Sequence, residues 1–397
     1  MNVILASAVG LLVVAILVAL LARRLSLPYT VGLVATGIAL APVSARLAPF
    51  LSHDLIYLVI LPPLLFEAAI SIHWNKLRRD LVPVLTLSTL GVVISAIVTA
   101  WGMNYFLGWP PASALVFGVL IAATDPVAVI ALFKDLGLKG RIRLLVESES
   151  LFNDGVAAVL FTLVLAWALA PAAPPGALAV AIALIKISGG GVAVGLLVGG
   201  AVLLLAGRTL DHLVSAALTT AAAYGAFLLA EYFHFSGVLA TVAAGLLIGN
   251  VAVLAESKSF SLREREFVLA FWEFIAFIAN SLIFLLIGVT VARVGVEGLG
   301  FKALLTAVAM VLVGRLLAVY PLCLALMRSR WAISLGDQHI LWWGGLRGAL
   351  ALALALSLPS SLPLAYDIRL ATFGVVVFSV LFQGLTMPLL LRKMGRT

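Results

Sequence analysis

Residues able to do chemistry are scarce in this sequence, and the informative ones stand inside apolar runs. Ala123-Thr124-Asp125-Pro126-Val127 is the first such place. Pro126 has no N–H, so the carbonyl of Ala122 loses its helical partner. Proline also pushes the preceding Asp125 away from helical geometry. A helix through this segment should break, leaving free carbonyls, the Thr124 hydroxyl and a carboxylate side by side. A plain proline kink is the competing interpretation; the carboxylate at the break favours a cation site.

The second place is Glu147-Ser148-Glu149-Ser150-Leu151-Phe152-Asn153-Asp154-Gly155. On a helix Ser150 and Asp154 share one face, and Glu149 and Asn153 another. A long apolar run follows Asp154, so this residue should lie deep. Burial penalises an uncompensated charge, and a carboxylate there is satisfied by either a proton or a hard cation. If both compete for one carboxylate, and the empty charged site cannot cross, obligatory exchange follows. Asn153, which donates and accepts, can tie this helix to the break at Thr124 and Asp125. The alternative is a hydrogen-bonded polar cluster with no transport role. Glu149 needs a counter-charge, and Arg315 in Val313-Gly314-Arg315-Leu316 is the natural candidate. A buried pair of this kind holds helices in register more than it adds net stability.

Two further segments contribute. Trp342-Trp343-Gly344-Gly345-Leu346-Arg347-Gly348 carries glycines that weaken a helix and let neighbouring backbones approach. A second discontinuous helix is expected there, crossing opposite the first. Arg347 then faces acidic groups or the free carbonyls of a half-helix, unless it snorkels to the interface. In Leu61-Pro62-Pro63-Leu64-Leu65-Phe66-Glu67, the carboxylate follows a loosened turn and can offer the cation another oxygen or line an entry funnel. Glu273 is a weaker funnel candidate, and Lys186 stands close enough to the end of its run to snorkel.

The elements that must position these residues follow from composition. Of 397 residues, 64% are hydrophobic and 11% charged, against about 25% charged in soluble domains. Apolar runs of roughly 20 residues match the length a helix needs to cross the hydrocarbon core, and no alternating strands of an outer-membrane barrel are present. The fold class is all-α integral membrane. Thirteen spans are expected near 3–22, 28–45, 55–72, 81–107, 111–133, 145–170, 178–206, 213–231, 235–254, 267–292, 301–327, 339–357 and 369–391. The first is read as a retained helix rather than a signal peptide, since no basic residue precedes it. The connections are short, with no inserted soluble domain. The polar stretch 253–267 is read as a cytoplasmic loop or surface helix.

Charge distribution tests that map. Eighteen of the 25 Lys and Arg residues fall in odd-numbered connections and the C-terminus. Four (Arg46, Arg293, Lys302, Arg369) fall in even-numbered ones, and three (Lys186, Arg315, Arg347) within spans. The bias places the N-terminus outside and the C-terminus in the cytoplasm, and it explains the net charge of +8 without a nucleic-acid partner. The single cysteine, Cys323, excludes a disulfide framework, and the five histidines show no metal-ligand spacing. No cofactor is expected.

The segments LPPLLFEAA (61–69), AATDPVAV (122–129), ESESLFNDG (147–155) and WGGLRGA (343–349) resemble, in kind and order, those of the sodium/proton antiporters of the first cation:proton antiporter family. That family includes prokaryotic NhaP proteins, plant plasma-membrane exchangers and the membrane domains of animal sodium/hydrogen exchangers. The resemblance spans nearly the whole chain and implies one membrane transport domain over 1–397 with an inverted-repeat fold and two crossed discontinuous helices. It implies core helices over 81–170 and 301–391, dimerisation or interface helices over 1–72 and 178–292, an elevator-like movement of the core, and a homodimer. By the same resemblance Asp154 is the carboxylate where Na+ and H+ compete. Thr124, Asp125, Ser150 and Glu67 help form the site, and Asn153, Pro126, Glu149, Arg315 and Arg347 support it. An Asn-Asp pair, here Asn153-Asp154, resembles that of electroneutral members, one cation for one proton.

Other readings separate on sequence features. A cation channel would use the same carboxylates but needs a continuous pore, whereas broken helices in separate halves favour alternating access. A membrane-embedded enzyme or an ATP-driven pump would need a catalytic triad, a metal cluster or a phosphate loop, and none is visible. K+/H+ exchange is the alternative within antiporters, because both ions take oxygen ligands. The expected setting is the inner or plasma membrane, with the lipid bilayer, a monovalent cation and protons as the partners.

Overall fold

Uninterrupted apolar runs without strand-like alternation should satisfy their backbone groups internally, as a helix does. In the computed structural model the described runs are helical, with two interruptions. It describes residues 2–25, 28–41, 52–135, 138, 140–170, 176–206, 211–254, 261–294 and 299–394. Helices α1 (Asn2–Leu25), α2 (Tyr29–Leu40) and α3 (Leu55–Ile70) come first, and a single turn at Trp74–Leu77 leads into α4 (Leu81–Leu107). Helix α5 is interrupted, its halves being Pro111–Ala122 and Val127–Asp135. Then follow α6 (Arg141–Leu169), α7 (Ala177–Ala206), α8 (His212–Tyr232), α9 (Gly237–Val253), α10 (Leu262–Val294) and α11 (Phe301–Ala325). Helix α12 is also interrupted, with halves Leu335–Trp343 and Ala349–Leu356, and α13 covers Ala365–Lys393. Among the described residues no strand occurs.

Eight of these helices are long and apolar enough to cross a bilayer, and four shorter apolar ones accompany them. The expected spans correspond to these elements with shifted ends, the count of thirteen holding approximately. Helix α6 begins earlier than expected, at Arg141, whose guanidinium pairs with Asp80 at 2.8 Å. The polar stretch 253–267 divides: 255–260 lie outside the described residues, and Leu262 onward forms the first turns of α10. The end of the second expected span, at 42–45, and the expected loop residues Arg46, Lys139, Arg208, Lys258 and Arg396 also lie outside the described residues.

The helices pack pairwise. Helix α4 packs on α5 and α11, and α5 on α6, with α13 against α11. Helix α2 packs on α10, α3 on α9, and α7 on both α8 and α9. The α2–α10 contact depends on two glycines: a Cβ at Gly288 would lie 2.9 Å from the Gly37 Cα, too close for either chain to stay in place, as expected of small residues at a membrane helix crossing. Large apolar side chains stand outward on α4 (Leu90, Ile97, Trp101) and α7 (Leu178, Ile185, Leu197, Leu204). An exposed apolar surface of this extent suits lipid or a partner chain, not water.

Candidate ion site at the crossed half-helices

Each interrupted helix leaves backbone carbonyls and amides without helical partners, and burial makes each one costly to leave unpaired. The structure satisfies them by joining the two breaks. The Asp125 amide donates to the Leu346 carbonyl at 2.8 Å, so the two irregular segments bond directly. The Ala122 carbonyl, freed by Pro126, accepts from Arg347 Nη1 at 2.7 Å, and the Ala123 carbonyl accepts from the same nitrogen at 3.1 Å. Arg347 is therefore a buried cation at the C-terminal, electronegative end of the first half of α5. It does not snorkel.

The first half of α12 is finished in the same way. The Leu341 carbonyl accepts from Arg315 Nη2 at 3.1 Å, and the Trp343 carbonyl from Gln383 Nε2 at 3.0 Å. Ser379 accepts from the Arg347 amide at 3.0 Å. Ser379 and Gln383 belong to a wide, π-type turn of α13 (Ser379–Gln383), which turns both side chains toward the break. The Trp342 and Trp343 indoles fasten this half-helix to α11 and α13 through Leu312 and Thr386.

The N-terminal ends of the second halves share one carboxylate. Asp125 Oδ1 accepts from the Val127 amide at 2.9 Å, and the Asp125 side chain also accepts from the Ala349 amide across the crossing. One negative charge thus faces two positive helix ends. Gly348 permits this approach, because a Cβ at that position would fall on the Asp125 carboxylate.

Helix α6 supplies the remaining groups. Ser150 Oγ donates to the Thr124 carbonyl. Asn153 Nδ2 reaches Thr124 Oγ1 and Glu149 Oε1, each at 3.3 Å. Glu149 and Arg315 form a two-pronged ion pair, Nη1 to Oε1 at 2.7 Å and Nη2 to Oε2 at 2.9 Å, and both residues are buried. Glu149 is thereby neutralised and Asp125 is held by backbone amides. Asp154 differs: its Oδ1 is buried and has no hydrogen-bond partner among the described residues.

A cavity of about 90 Å3 lies against these groups. It is several times larger than the roughly 10–15 Å3 that a single water needs. One wall consists of the α5 break from Ala123 to Val127, Ser150 and Asp154 of α6, and the start of the second half of α12. The opposite wall is α3, from Leu61 to Ala68 and including Glu67, together with Asn280 of α10. The structure therefore brings Asp154, Asp125, Thr124, Ser150 and Glu67 to one cavity, with Pro126 beside them. Asn153, Glu149, Arg315 and Arg347 stand behind it, bonded as described. Glu273 is exposed on α10 and does not line the cavity, and Lys186 is exposed on α7.

Chemically, the cavity offers hard oxygen donors and one carboxylate whose charge has no fixed partner. Such a set suits a proton or a monovalent metal cation. Asn280, Ser379 and Gln383 escaped the sequence reading. Asn280 was visible as a lone amide in the apolar run Ile278-Ala279-Asn280-Ser281-Leu282, whereas Ser379 and Gln383 serve a break far away in sequence.

The chain is similar to known proteins. A family described as the transmembrane sodium/hydrogen exchanger matches residues 11–393. The chain is 41% identical over 370 residues to the Na+/H+ antiporter ApNhaP of Aphanothece halophytica, covering 93% of this chain and 70% of that protein. It is 40% identical to the low-affinity Na+/H+ antiporter NhaS1 of Synechocystis, covering 92% of this chain and 69% of that one. In fold it is similar to the sodium proton antiporter MjNhaP1 of Methanocaldococcus jannaschii, with a TM-score of 0.75, 22% identity, and coverage of 98% and 99% of the two chains. The chain belongs to the sodium/hydrogen exchanger family.

Proposed function

We propose that this protein is a secondary antiporter that exchanges Na+ or Li+ for H+ across the membrane, with cation and proton competing for Asp154. The observation that carries the reading is the partition of charge at the crossing. Asp125 is engaged by the Val127 and Ala349 amides and Glu149 by Arg315, while Asp154 Oδ1 faces no donor. A buried carboxylate without a counter-charge binds a cation or a proton, and exclusion of the empty charged form turns that competition into exchange. Thr124, Asp125, Ser150 and Glu67 supply oxygens around the same cavity. One uncommitted carboxylate supports one cation for one proton. The names of the relatives, all Na+/H+ antiporters, support Na+ and lend none to K+.

Movement is read as alternating access. The group α4–α6 with α11–α13 is proposed as the transport core, and α1–α3 with α7–α10 as the scaffold, in keeping with the packing preferences within each group. The scaffold is proposed to pair with a second copy, for which the exposed apolar residues Val13, Leu17 and Leu20 of α1 are available. The basic-residue bias supports a C-terminus on the cytoplasmic side of the inner or plasma membrane. No covalent step and no resident cofactor is needed.

The test is reconstitution in liposomes with an acidic interior, a ΔpH-sensitive dye and clamped membrane potential. Na+ and Li+ should drive proton efflux, choline should not, and Asp154→Asn should abolish the response. Folded protein that answers no cation between pH 5 and 9 would refute the reading.

A further inference from the structure

The scaffold wall of the cavity is almost wholly apolar. Leu61, Leu64 and Leu65 of α3 face the ion site, and Glu67 is the only acidic group among the residues that line this wall. Asn280 is the other polar one. It stands in the middle of α10, is 6% exposed, and lines the same cavity as Asp154 and Asp125. Its amide side chain is hydrogen-bonded to Tyr29 of α2, and Tyr29 is held against α10 by ring contact with Phe277, centroids 6.1 Å apart. The phenolic oxygen thus takes the amide N–H, and the Asn280 Oδ1 is left buried with no partner among the described residues. The large majority of buried side-chain polar atoms have a hydrogen-bond partner. Here the donor end is fixed and the acceptor end is spare, beside a site that needs acceptors.

We propose that Asn280 is a cation-binding and selectivity residue contributed by the scaffold, its Oδ1 replacing one water of the monovalent cation held at Asp154, with Tyr29 as the positioning residue that turns the amide. The inference rests on the reading of Asp154 as the exchange site and adds a neutral ligand from the opposite wall. Its chemistry discriminates between the two substrates. A neutral carbonyl oxygen compensates a dehydrated metal cation, whereas a proton is taken up covalently by the Asp154 carboxylate and needs no such ligand. Asn280 therefore acts on the cation side of the exchange alone. It also acts only while the core faces this wall, because the other ligands of the site belong to α5 and α6 and Asn280 belongs to α10.

The experiment measures initial exchange rates in liposomes against Na+ and Li+ concentration for wild type, Asn280→Leu, Asn280→Asp, Tyr29→Phe and Asp154→Asn. Leucine keeps the volume and removes the oxygen. Loss of one charge-assisted contact should raise the KM for Na+ about tenfold, with the maximal rate and its pH profile at saturating Na+ retained, and should change the Li+ to Na+ preference. Asn280→Asp keeps an oxygen and should hold the KM for Na+ at or below the wild-type value. Tyr29→Phe, which frees the amide to turn, should raise the KM by a smaller factor. A purely structural amide would lower thermal stability without altering the cation ranking. Should Asn280→Leu fail to fold, Tyr29→Phe carries the decision. Unchanged Na+ and Li+ constants in folded Asn280→Leu and Tyr29→Phe, with Asp154→Asn inactive, would overturn this inference and leave the exchange site standing. Persisting exchange in Asp154→Asn would instead remove the site itself, and with it the role given to Asn280.

Discussion

Arg315 offers the sharpest test of how the crossing is held together. Its guanidinium donates to both Glu149 oxygens, at 2.7 and 2.9 Å, and to the Leu341 carbonyl at 3.1 Å. Replacing it with methionine keeps most of the volume and leaves the buried Glu149 with only the Asn153 amide, at 3.3 Å. Removing one partner of a buried ion pair costs about 3–5 kcal/mol, while replacing both by apolar groups often costs far less. In Arg315→Met/Glu149→Leu the charge is gone, and the loss should fall to the roughly 1–3 kcal/mol of an unpaired carbonyl at Leu341. The expected order of stability is wild type, then the double variant, then Arg315→Met. Thermal unfolding of purified protein, followed by tryptophan fluorescence with calorimetric enthalpies, reads that order. A single variant as stable as wild type, or a double variant no more stable than the single, would refute the reasoning.

Other perturbations act on the same crossing. Arg347→Ala strips the donor from the Ala122 and Ala123 carbonyls; unfolding should show a loss of about 1–3 kcal/mol for each buried carbonyl left unpaired, and Arg347→Lys should recover part of it. Gly348→Ala puts a methyl group where the Asp125 carboxylate lies, so Na+-driven proton flux should fall at least about tenfold, the equivalent of 1.4 kcal/mol, with folded protein still recovered on size exclusion. Gly288→Val forces α2 and α10 apart at Gly37, and overpacking of this kind should lower stability by about 1–3 kcal/mol in the same thermal assay.

How much of this was legible beforehand differs by residue. The spans were, because apolar length is a local property of the chain. So was the break in α5, since Pro126 deletes a specific N–H and names the carbonyl, Ala122, that must look elsewhere. Where that carbonyl finds its donor was not legible: Arg347 is far off in sequence, and a sequence alone left it facing carbonyls, facing acids or snorkelling. Ser379 and Gln383 looked like ordinary small polar residues of a span, because their purpose depends on a wide turn and on a neighbouring helix. Asn280 was overlooked for a related reason. A single amide in an apolar run has no local signal that separates a ligand from a satisfied core residue, and only the cavity and the spare Oδ1 set it apart. The apolar run after Asp154 singled it out as the deeper carboxylate; the structure separates it from Asp125 by partners, amides for Asp125 and, among the described residues, none for Asp154 Oδ1.

The central claim is that cation and proton compete for Asp154, and proton release tests it most directly. Purified protein in weakly buffered detergent solution is titrated with NaCl against choline chloride while a pH dye records the protons set free. The account predicts that Na+ releases protons saturably, that release is largest where the site begins protonated, and that Asp154→Asn neither binds Na+ nor releases protons. Na+ binding without proton release, or release that persists in Asp154→Asn, would contradict it.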